Sequence, residues 1–235
     1  MAEVKFNVLA KDVDNALELF EAAGNRVLIG IMVKEFPTEA EAINSVRHYQ
    51  KHQIPVSVGL GAGDPAVWKS VAEVSAQTEP NHINQIFPAA GYTLGRMAGK
   101  RKTIVNALIE PSGIPGKVYI STGPDSKKYR EPVTCDCAAS MLSEIGVHSV
   151  KFYPIEGEAR LDEVSSMAKA AVTAGITIFE PTGGITVENV YAIVQACIDS
   201  GVKVVIPHLY TSLIDPETGR TEVSKMKELL AMQWQ

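Results

Sequence analysis

The sequence contains few cysteines, and none at a spacing that suggests a metal site. Its 235 residues include Cys135, Cys137 and Cys197, an odd number at spacings that match no common zinc or redox motif. Free cysteine is among the most buried residue types, so we expect buried thiols. A structural disulfide is not expected.

The sequence also lacks a block of basic residues and a long apolar run. A formal net charge of −5 without a basic cluster excludes the charged surface typical of nucleic-acid-binding proteins. The segment MAEVKFNVLAKDVDNALELFE carries acidic residues early and fits neither a secretory signal nor a membrane-spanning helix. We therefore expect a cytoplasmic protein that acts on small molecules, without nucleic-acid or membrane partners.

What the sequence does contain is a regular alternation of short β-branched runs with amphipathic helices. Val13 to Ala23 is a predicted helix with Gly24 as its stop. Glycines at 146, 175 and 201 each precede a predicted strand, as in parallel α/β proteins. The predicted strands are RVLIGIMV, IPVSVGLGAG, INQIF, TIVNALIEP, KVYIST, HSVKFYPI, ITIFEPTGG and VKVVIPHL.

The number of strands and the length of the chain favour one fold. About eight strands in a chain near the ~250 residues typical of a TIM barrel predict a single α/β domain, a (β/α)8 barrel over residues 1–235. We expect residues 1–24 to be an N-terminal helical extension packed on the barrel. A doubly wound open sheet is the alternative, but no Gly-x-Gly-x-x-Gly turn follows the first predicted strand.

Lys151 lies in a predicted strand, HSVKFYPI, whose other residues are mainly apolar, aromatic or β-branched. An unpaired buried ammonium costs several kcal/mol, so the amine must be paired, neutral or functional. Burial favours the neutral amine, which is a nucleophile that forms Schiff bases with ketones. The alternative is a structural lysine paired with Glu180 or Glu156.

The segment FEPTGGIT places Gly183 and Gly184 between a strand and a helix that Thr186 is predicted to cap. In a barrel, the carboxyl ends of the strands carry the active site, and the loops after the last two strands commonly bind phosphate. We therefore predict a phosphate or carboxylate site at this loop. A tight turn that requires small residues is the alternative.

VKFYPIEG and FEPTGGIT together resemble segments of the 2-keto-3-deoxy-6-phosphogluconate and 4-hydroxy-2-oxoglutarate aldolases. The close match covers residues 148–186, and the whole chain is similar to a divergent branch of this family. The resemblance implies that Lys151 is the Schiff-base residue. It also implies that Thr182, Gly183 and Gly184 bind the phosphate or distal carboxylate of the substrate.

The sequence departs from that family at two places. The family's glutamate on the second strand, the general acid/base, has no counterpart in VSVGLGAG, so Glu180 and Glu110 are proposed from their positions as substitutes. Small residues after the last strand are replaced by PHLYTS, in which His208, Thr211 and Ser212 are candidate anion donors. Lys34, after the first predicted strand, is a further candidate for binding the substrate carboxylate, and a surface lysine without a role is the alternative.

The resemblance implies a class I aldolase, without metal or cofactor, that cleaves a 2-keto-3-deoxy sugar acid to pyruvate and an aldehyde. The expected substrate is 2-dehydro-3-deoxy-6-phosphogluconate or 4-hydroxy-2-oxoglutarate, and a homo-oligomer is expected. Two alternatives remain open. One is a metal-dependent pyruvate aldolase that recruits Glu110, Glu180 and His208, and the other is a non-catalytic barrel that binds a phosphorylated sugar acid.

Overall fold

A computed structural model describes residues 2–100 and 102–234. The described residues form twelve strands and eight α-helices. The strands are β1 (Glu3–Val4), β2 (Phe6–Val8), β3 (Val27–Met32), β4 (Val56–Gly59), β5 (His82–Ile83), β6 (Ile104–Pro111), β7 (Lys117–Tyr119), β8 (Val133–Thr134), β9 (Ser149–Phe152), β10 (Ile178–Pro181), β11 (Val204–Val205) and β12 (His208–Leu209). The helices are α1 (Val13–Ala23), α2 (Glu39–Lys51), α3 (Trp68–Thr78), α4 (Ala90–Met97), α5 (Cys135–Ile145), α6 (Leu161–Thr173), α7 (Val190–Asp199) and α8 (Val223–Ala231).

Ten of the strands form one curled sheet in which all neighbours are parallel. Their order is β1, β11, β10, β9, β6, β5, β4, β3, β2, β12. Most strands follow one another in space as they do along the chain, with helices between them, because a parallel connection needs a crossover element. This α/β arrangement is consistent with a TIM-barrel-like fold.

The N-terminal segment differs from the predicted helical extension. The helix α1 has the predicted bounds, with the Asp12 side chain accepting from the Asn15 N–H at its start and Gly24 at its end. Residues 3–8, however, are strands of the sheet: β1 pairs with β11, and β2 pairs with both β3 and β12. The buried Val4, Phe6 and Val8 explain this, since they alternate with Lys5 and Asn7 at the period of a strand.

KVYIST is a strand, but the prediction that it belongs to the parallel sheet is wrong. Strand β7 pairs antiparallel with β6 and with β8, so these strands form a local hairpin extension after β6. The short SGIPG connection explains the difference, because a loop of this length joins antiparallel strands but cannot carry a parallel crossover. The sheet therefore gains the unpredicted strand at residues 3–8 and loses this predicted one.

The outward side of the sheet packs against the helices to form one apolar core. Phe6, Phe152 and Phe179 are fully buried there, and the rings of the last two lie 6.0 Å apart. Cys135 and Cys197 are buried as expected, whereas Cys137 is exposed on α5; all three are free. None of the described helices is long and apolar enough to cross a membrane.

Candidate active site

A cavity of about 510 Å³ opens at the carboxyl ends of the parallel strands. Its volume lies within the range that small-molecule sites occupy, about 300–1,000 Å³. The wall combines apolar and polar side chains from several different strands and the loops that follow them. Of the residues predicted from the sequence, it contains Lys34, Lys151, Thr182, Gly183, Gly184, His208, Thr211 and Ser212.

Lys151 points from β9 into this cavity, and its side chain is almost completely buried. Its Nζ donates to Asn84 Oδ1 at 3.1 Å and lies 3.4 Å from His208 Nδ1. The amine is also 6.0 Å from the centre of the Tyr210 ring. Burial lowers the pKa of Lys151 to about 8, against the opposing effect of the Glu180 charge. Lys151 thus has a nucleophilic neutral form near neutral pH, and its hydrogen-bond partner is an amide rather than a carboxylate.

Glu180 lies below the cavity and does not line it. The carboxylate is fully buried, with Oε1 2.9 Å from His82 Nε2, and Oε2 2.9 Å from His208 Nε2 and 2.7 Å from Asn106 Nδ2. Burial alone would raise the pKa of Glu180, but the adjacent His82 and the hydrogen bonds from both imidazoles hold it well below its ordinary value. Glu180 is therefore a buried carboxylate that lies outside the cavity wall.

Glu110 is near the end of β6 but is not part of the cavity wall. Arg130 Nη1 donates to its Oε2 at 2.5 Å, and Lys127 Nζ lies 3.7 Å from Oε1. Both cations belong to the segment between β7 and β8. The structure therefore assigns Glu110 a place in an ion-pair cluster, and its suggested role as an acid/base residue has no geometric support.

The glycine loop after β10 forms one side of the cavity. Asn189 holds the loop, accepting from the Thr186 N–H and donating to Gly184 O. Helix α7 begins at Val190, so Thr186 is not its N-terminal cap as predicted. Among the described residues, the N–H groups of Gly184 and Ile185 donate no hydrogen bond, whereas Gly183 follows Thr182, which forms an isolated parallel bridge with His208.

The PHLYTS segment, which includes β12, divides into two parts with different surroundings. His208 faces Lys151 and Glu180 rather than the loop region. Thr211 and Ser212 line the cavity, and Ser212 Oγ is buried without a hydrogen-bond partner among the described residues. The three predicted anion donors therefore lie in two places. His208 is next to Lys151, whereas Thr211 and Ser212 present their hydroxyl groups to the cavity.

Lys34 and Glu35 follow β3 and line the cavity, both with exposed side chains. A Cβ on Gly61, which has a φ of +92°, would come within 2.7 Å of Lys34 Cγ, so the glycine leaves room for the lysine stem. When β1 and β2 are counted together as one segment of the sheet, β3 comes second along the chain, and Glu35 follows it. Among the described residues of the cavity wall, Glu35 carries the single carboxylate.

Sequence reasoning missed several residues of this region, chiefly Asn84, His82, Asn106 and Tyr210. A signal was present, because most strands of the sheet carry a polar residue within an apolar run, as in FNV, VSV, HIN and VNA. Which of these polar side chains come into contact depends on which strands are neighbours in the sheet. No group of three or more His, Cys, Asp or Glu in the described chain is arranged to hold a metal ion.

The fold is shared with known structures of low sequence identity. N-(5'-phosphoribosyl)anthranilate isomerase from Pyrococcus furiosus matches with a TM-score of 0.59 and 14% identity, over 97% of each chain. A 3-hexulose-6-phosphate synthase matches with a TM-score of 0.58 and 15% identity, over 97% of this chain and 99% of the other. At these identities the likeness concerns the fold alone.

Sequence comparison gives a closer relation. A protein of Salmonella typhimurium (strain 14028s / SGSC 2262), named 2-dehydro-3-deoxy-phosphogluconate aldolase, is 41% identical over 230 residues, which is 97% of this chain and 93% of the relative. The family model described as KDGP aldolase matches residues 1–217. With a buried lysine amine in an open cavity at the strand ends, the chain belongs to the KDGP aldolase family and is an aldolase, a lyase.

Proposed function

We propose that the protein is a class I aldolase in which Lys151 forms a Schiff base with a 2-oxo acid. The observation that carries this proposal is the amine itself, which is buried, faces the cavity and has its pKa lowered to about 8. Burial disfavours the ammonium form, which increases the fraction of nucleophilic amine. The family supports aldol cleavage, and the lysine supports the covalent mechanism.

In the proposed reaction, Lys151 Nζ attacks the C2 carbonyl and water leaves, giving an iminium. The C3–C4 bond then breaks as its electrons move into the iminium, while a base removes the proton of the C4 hydroxyl and the aldehyde departs. Protonation of the enamine at C3 and hydrolysis release pyruvate and restore the amine.

Glu35 is the candidate for the base that accepts the C4 hydroxyl proton. It is the carboxylate of the cavity wall, whereas Glu180 lies beneath the wall and Glu110 is held by Arg130. A base must come within hydrogen-bond distance of the proton it removes, so accessibility to the cavity is the first requirement. Lys34, next to it, is proposed to pair with a substrate anion.

We infer that the distal anionic group of the substrate binds at the glycine loop. The unpaired N–H groups of Gly184 and Ile185 and the unpaired hydroxyl of Ser212 supply donors, and Thr211 adds another hydroxyl. Consecutive N–H groups around left-handed glycines form concave anion sites. The preferred substrate is 2-dehydro-3-deoxy-6-phosphogluconate, in keeping with the name of the Salmonella relative, and 4-hydroxy-2-oxoglutarate is the second candidate.

We also infer that the curled sheet closes into a (β/α)8 barrel. In this arrangement β1 and β2 are parts of one strand, and β11 and β12 are parts of its neighbour. Continuous backbone hydrogen bonds support this, from the N–H groups of Glu3, Lys5 and Asn7 to the carbonyls of Lys203, Val205 and Pro207. The homo-oligomeric state and the cytoplasmic location remain predictions from the sequence.

Release of pyruvate from 2-dehydro-3-deoxy-6-phosphogluconate tests the function. We expect the wild-type protein to release pyruvate after dialysis against a chelator, and Lys151→Met to release none. Loss of activity on chelation, with restoration by a divalent cation, would favour a metal-dependent aldolase. Substrate binding by calorimetry without pyruvate release would favour the non-catalytic alternative.

A further inference from the structure

A network of buried polar side chains lies directly beneath the Lys151 amine. Its members come from seven strands and the turn after β5, and all are buried by the sheet and the cavity wall. They are Asn7, Ser57, His82, Asn84, Asn106, Lys151, Glu180 and His208. Buried polar groups of this kind are stable only when their donors and acceptors are matched, so the contacts determine where the protons lie.

His208 connects the two charged members of this network. Its Nε2 is 2.9 Å from Glu180 Oε2, and a carboxylate whose pKa is held low can only accept, so Nε2 carries the proton. Its Nδ1 is 3.4 Å from Lys151 Nζ and is then an unprotonated acceptor facing the ammonium. The imidazole is therefore neutral and aligned between amine and carboxylate.

The second histidine holds the other side of Glu180 without reaching the lysine. His82 Nε2 is 2.9 Å from Glu180 Oε1, and its Nδ1 is 2.8 Å from Ser57 Oγ. Ser57 Oγ already accepts from Asn7 and Asn84, so its own proton is left to donate to His82 Nδ1. Both oxygens of Glu180 are thus fixed, and the carboxylate is kept in position behind His208.

We propose that His208 is a catalytic acid/base residue that accepts the proton of the Lys151 amine and returns it during Schiff-base formation, with Glu180 as the positioning residue that stabilises the charged imidazole. This inference rests on the proposed Schiff-base mechanism and adds the proton carrier that the mechanism requires. His208 contacts the reacting nitrogen and lines the cavity, whereas Glu180 acts through it.

The proton balance is complete with these groups. The Lys151 ammonium gives a proton to His208 Nδ1, and the free amine attacks C2, forming the C–N bond as the C=O π bond breaks. The imidazolium protonates the resulting alkoxide, takes a proton back from the attached nitrogen, and then protonates the C2 hydroxyl, which leaves as water. The iminium carries the original positive charge, and His208 is neutral again.

The electrostatics around His208 keep its ring neutral, and therefore able to accept a proton, while Lys151 is charged. Burial and the Lys151 charge lower the pKa of His208 to about 3, while Glu180 acts in the opposite direction and His82 adds to the lowering. The other groups that face the ring are Asn7 and Tyr210, whose ring lies 5.5 Å away. Once Lys151 has lost its proton, its repulsion ends, and burial still lowers the pKa of His208 while Glu180 raises it.

The test is the rate at which borohydride traps the pyruvate adduct, measured in single-turnover mixing with wild type, His208→Gln and Glu180→Gln. The glutamine at 208 preserves size and a hydrogen bond but cannot carry the proton. We expect trapping to slow by about 10²–10⁴-fold in His208→Gln, the usual share of an acid/base group. His148→Gln, a histidine bonded to the Val105 N–H, is the matched control and should trap at the wild-type rate.

Two further readouts separate proton transfer from a structural role. Added imidazole should restore trapping at least tenfold in His208→Gly, in which a gap replaces the ring. Glu180→Gln should slow trapping and move the acid limb of its pH profile to lower pH, because the Glu180 charge raises the Lys151 pKa.

The possible outcomes distinguish the two proposals. No adduct in the folded wild-type protein would contradict the Schiff-base function itself. An adduct in wild type together with unchanged trapping in folded His208→Gln, or no response of His208→Gly to imidazole, would overturn the role of His208 and leave the function intact. An unshifted pH profile in Glu180→Gln would overturn the role of Glu180.

Discussion

Lys151 combines deep burial with a neutral hydrogen-bond partner, and this combination determines its chemistry. A carboxylate in direct contact would hold the lysine as an ammonium ion, whereas Asn84 accepts a hydrogen bond from it without adding charge. Glu180 acts on the amine only from behind His208. We therefore expect the buried Lys151 charge to lower the free energy of unfolding, while the same side chain supplies the reactive amine.

Replacement of this lysine by methionine should separate activity from stability. We expect Lys151→Met to lose pyruvate release by on the order of 10⁴-fold or more. Its melting temperature should not fall, because an apolar side chain of similar length removes a buried charge. Lys169→Met, on the exposed face of α6, is the control and should change neither quantity. A large loss of stability in Lys151→Met would indicate a structural lysine.

Wild type and Lys151→Met should differ in how their free energy of unfolding depends on pH. Burial lowers the pKa of folded Lys151 from 10.5 to about 8, so between these values the unfolded chain binds more protons than the folded one. Stability therefore rises with pH in this window, by about 3 kcal/mol relative to Lys151→Met. Below pH 8 the lysine is charged in both states and the difference is constant. Urea unfolding of both proteins from pH 7 to 10.5 measures it, and parallel curves would contradict the lowered pKa.

The Glu35 carboxylate should be needed for cleavage of the C3–C4 bond but not for formation of the Schiff base with pyruvate. We expect Glu35→Gln to release pyruvate about 10²–10⁴-fold more slowly, since an amide cannot accept the C4 hydroxyl proton. Trapping of pyruvate by borohydride needs no C–C cleavage and should proceed at the wild-type rate. Pyruvate release within a few-fold of wild type would show that another group is the base.

Among the elements, the glycine loop after β10 depends on a close approach of two backbone segments. Gly184 has a φ of +69°, and a Cβ there would lie 2.6 Å from Gly157 N. An alanine must therefore displace either the loop or the turn that follows β9. Because that turn follows the strand that carries Lys151, the contact between Gly184 and Gly157 fixes the position of the glycine loop relative to the lysine.

We expect Gly184→Ala to lower the free energy of unfolding by about 1–3 kcal/mol. We also expect it to raise the KM for the phosphorylated substrate about 10–100-fold, because hydrogen bonds to a charged group would be lost. The control is Gly175→Ala, which has a φ of +87° and no heavy atom within 4 Å of the added Cβ. It should lose stability but keep its KM. An unchanged KM in Gly184→Ala would place the anion elsewhere.

The elements also show what the sequence could predict. The lysine strand and the glycine loop were identified because each combines an unusual residue with a clear flanking pattern. The polar network was not, because Asn84, Asn106 and His82 become neighbours only through the order of the strands. Glu35, at the end of the first predicted strand, received no role from the sequence, because residues 3–8 were not predicted to be strands and its own strand was counted as the first. Glu110 was selected by its position at a strand end, and only the hairpin β7–β8 shows that cations bind it.

At the scale of the whole molecule, residues 3–8 are part of the sheet rather than of an added helix. Phe6 is fully buried in the core, whereas Phe20 on α1 is half-buried. We expect Phe6→Ala to lower the free energy of unfolding by about 3–5 kcal/mol, and Phe20→Ala to lower it less. Urea unfolding measures both. Equal, small losses would favour an N-terminal segment that packs loosely on the outside.

The central claim is that the Lys151 amine forms the covalent bond to substrate. Borohydride reduction in the presence of pyruvate, followed by intact-mass measurement and peptide mapping, tests it most directly. We predict one stable pyruvyl adduct per chain, on the peptide that contains Lys151, and none in Lys151→Met. A folded protein without an adduct, or with the adduct on Lys34, would contradict the claim.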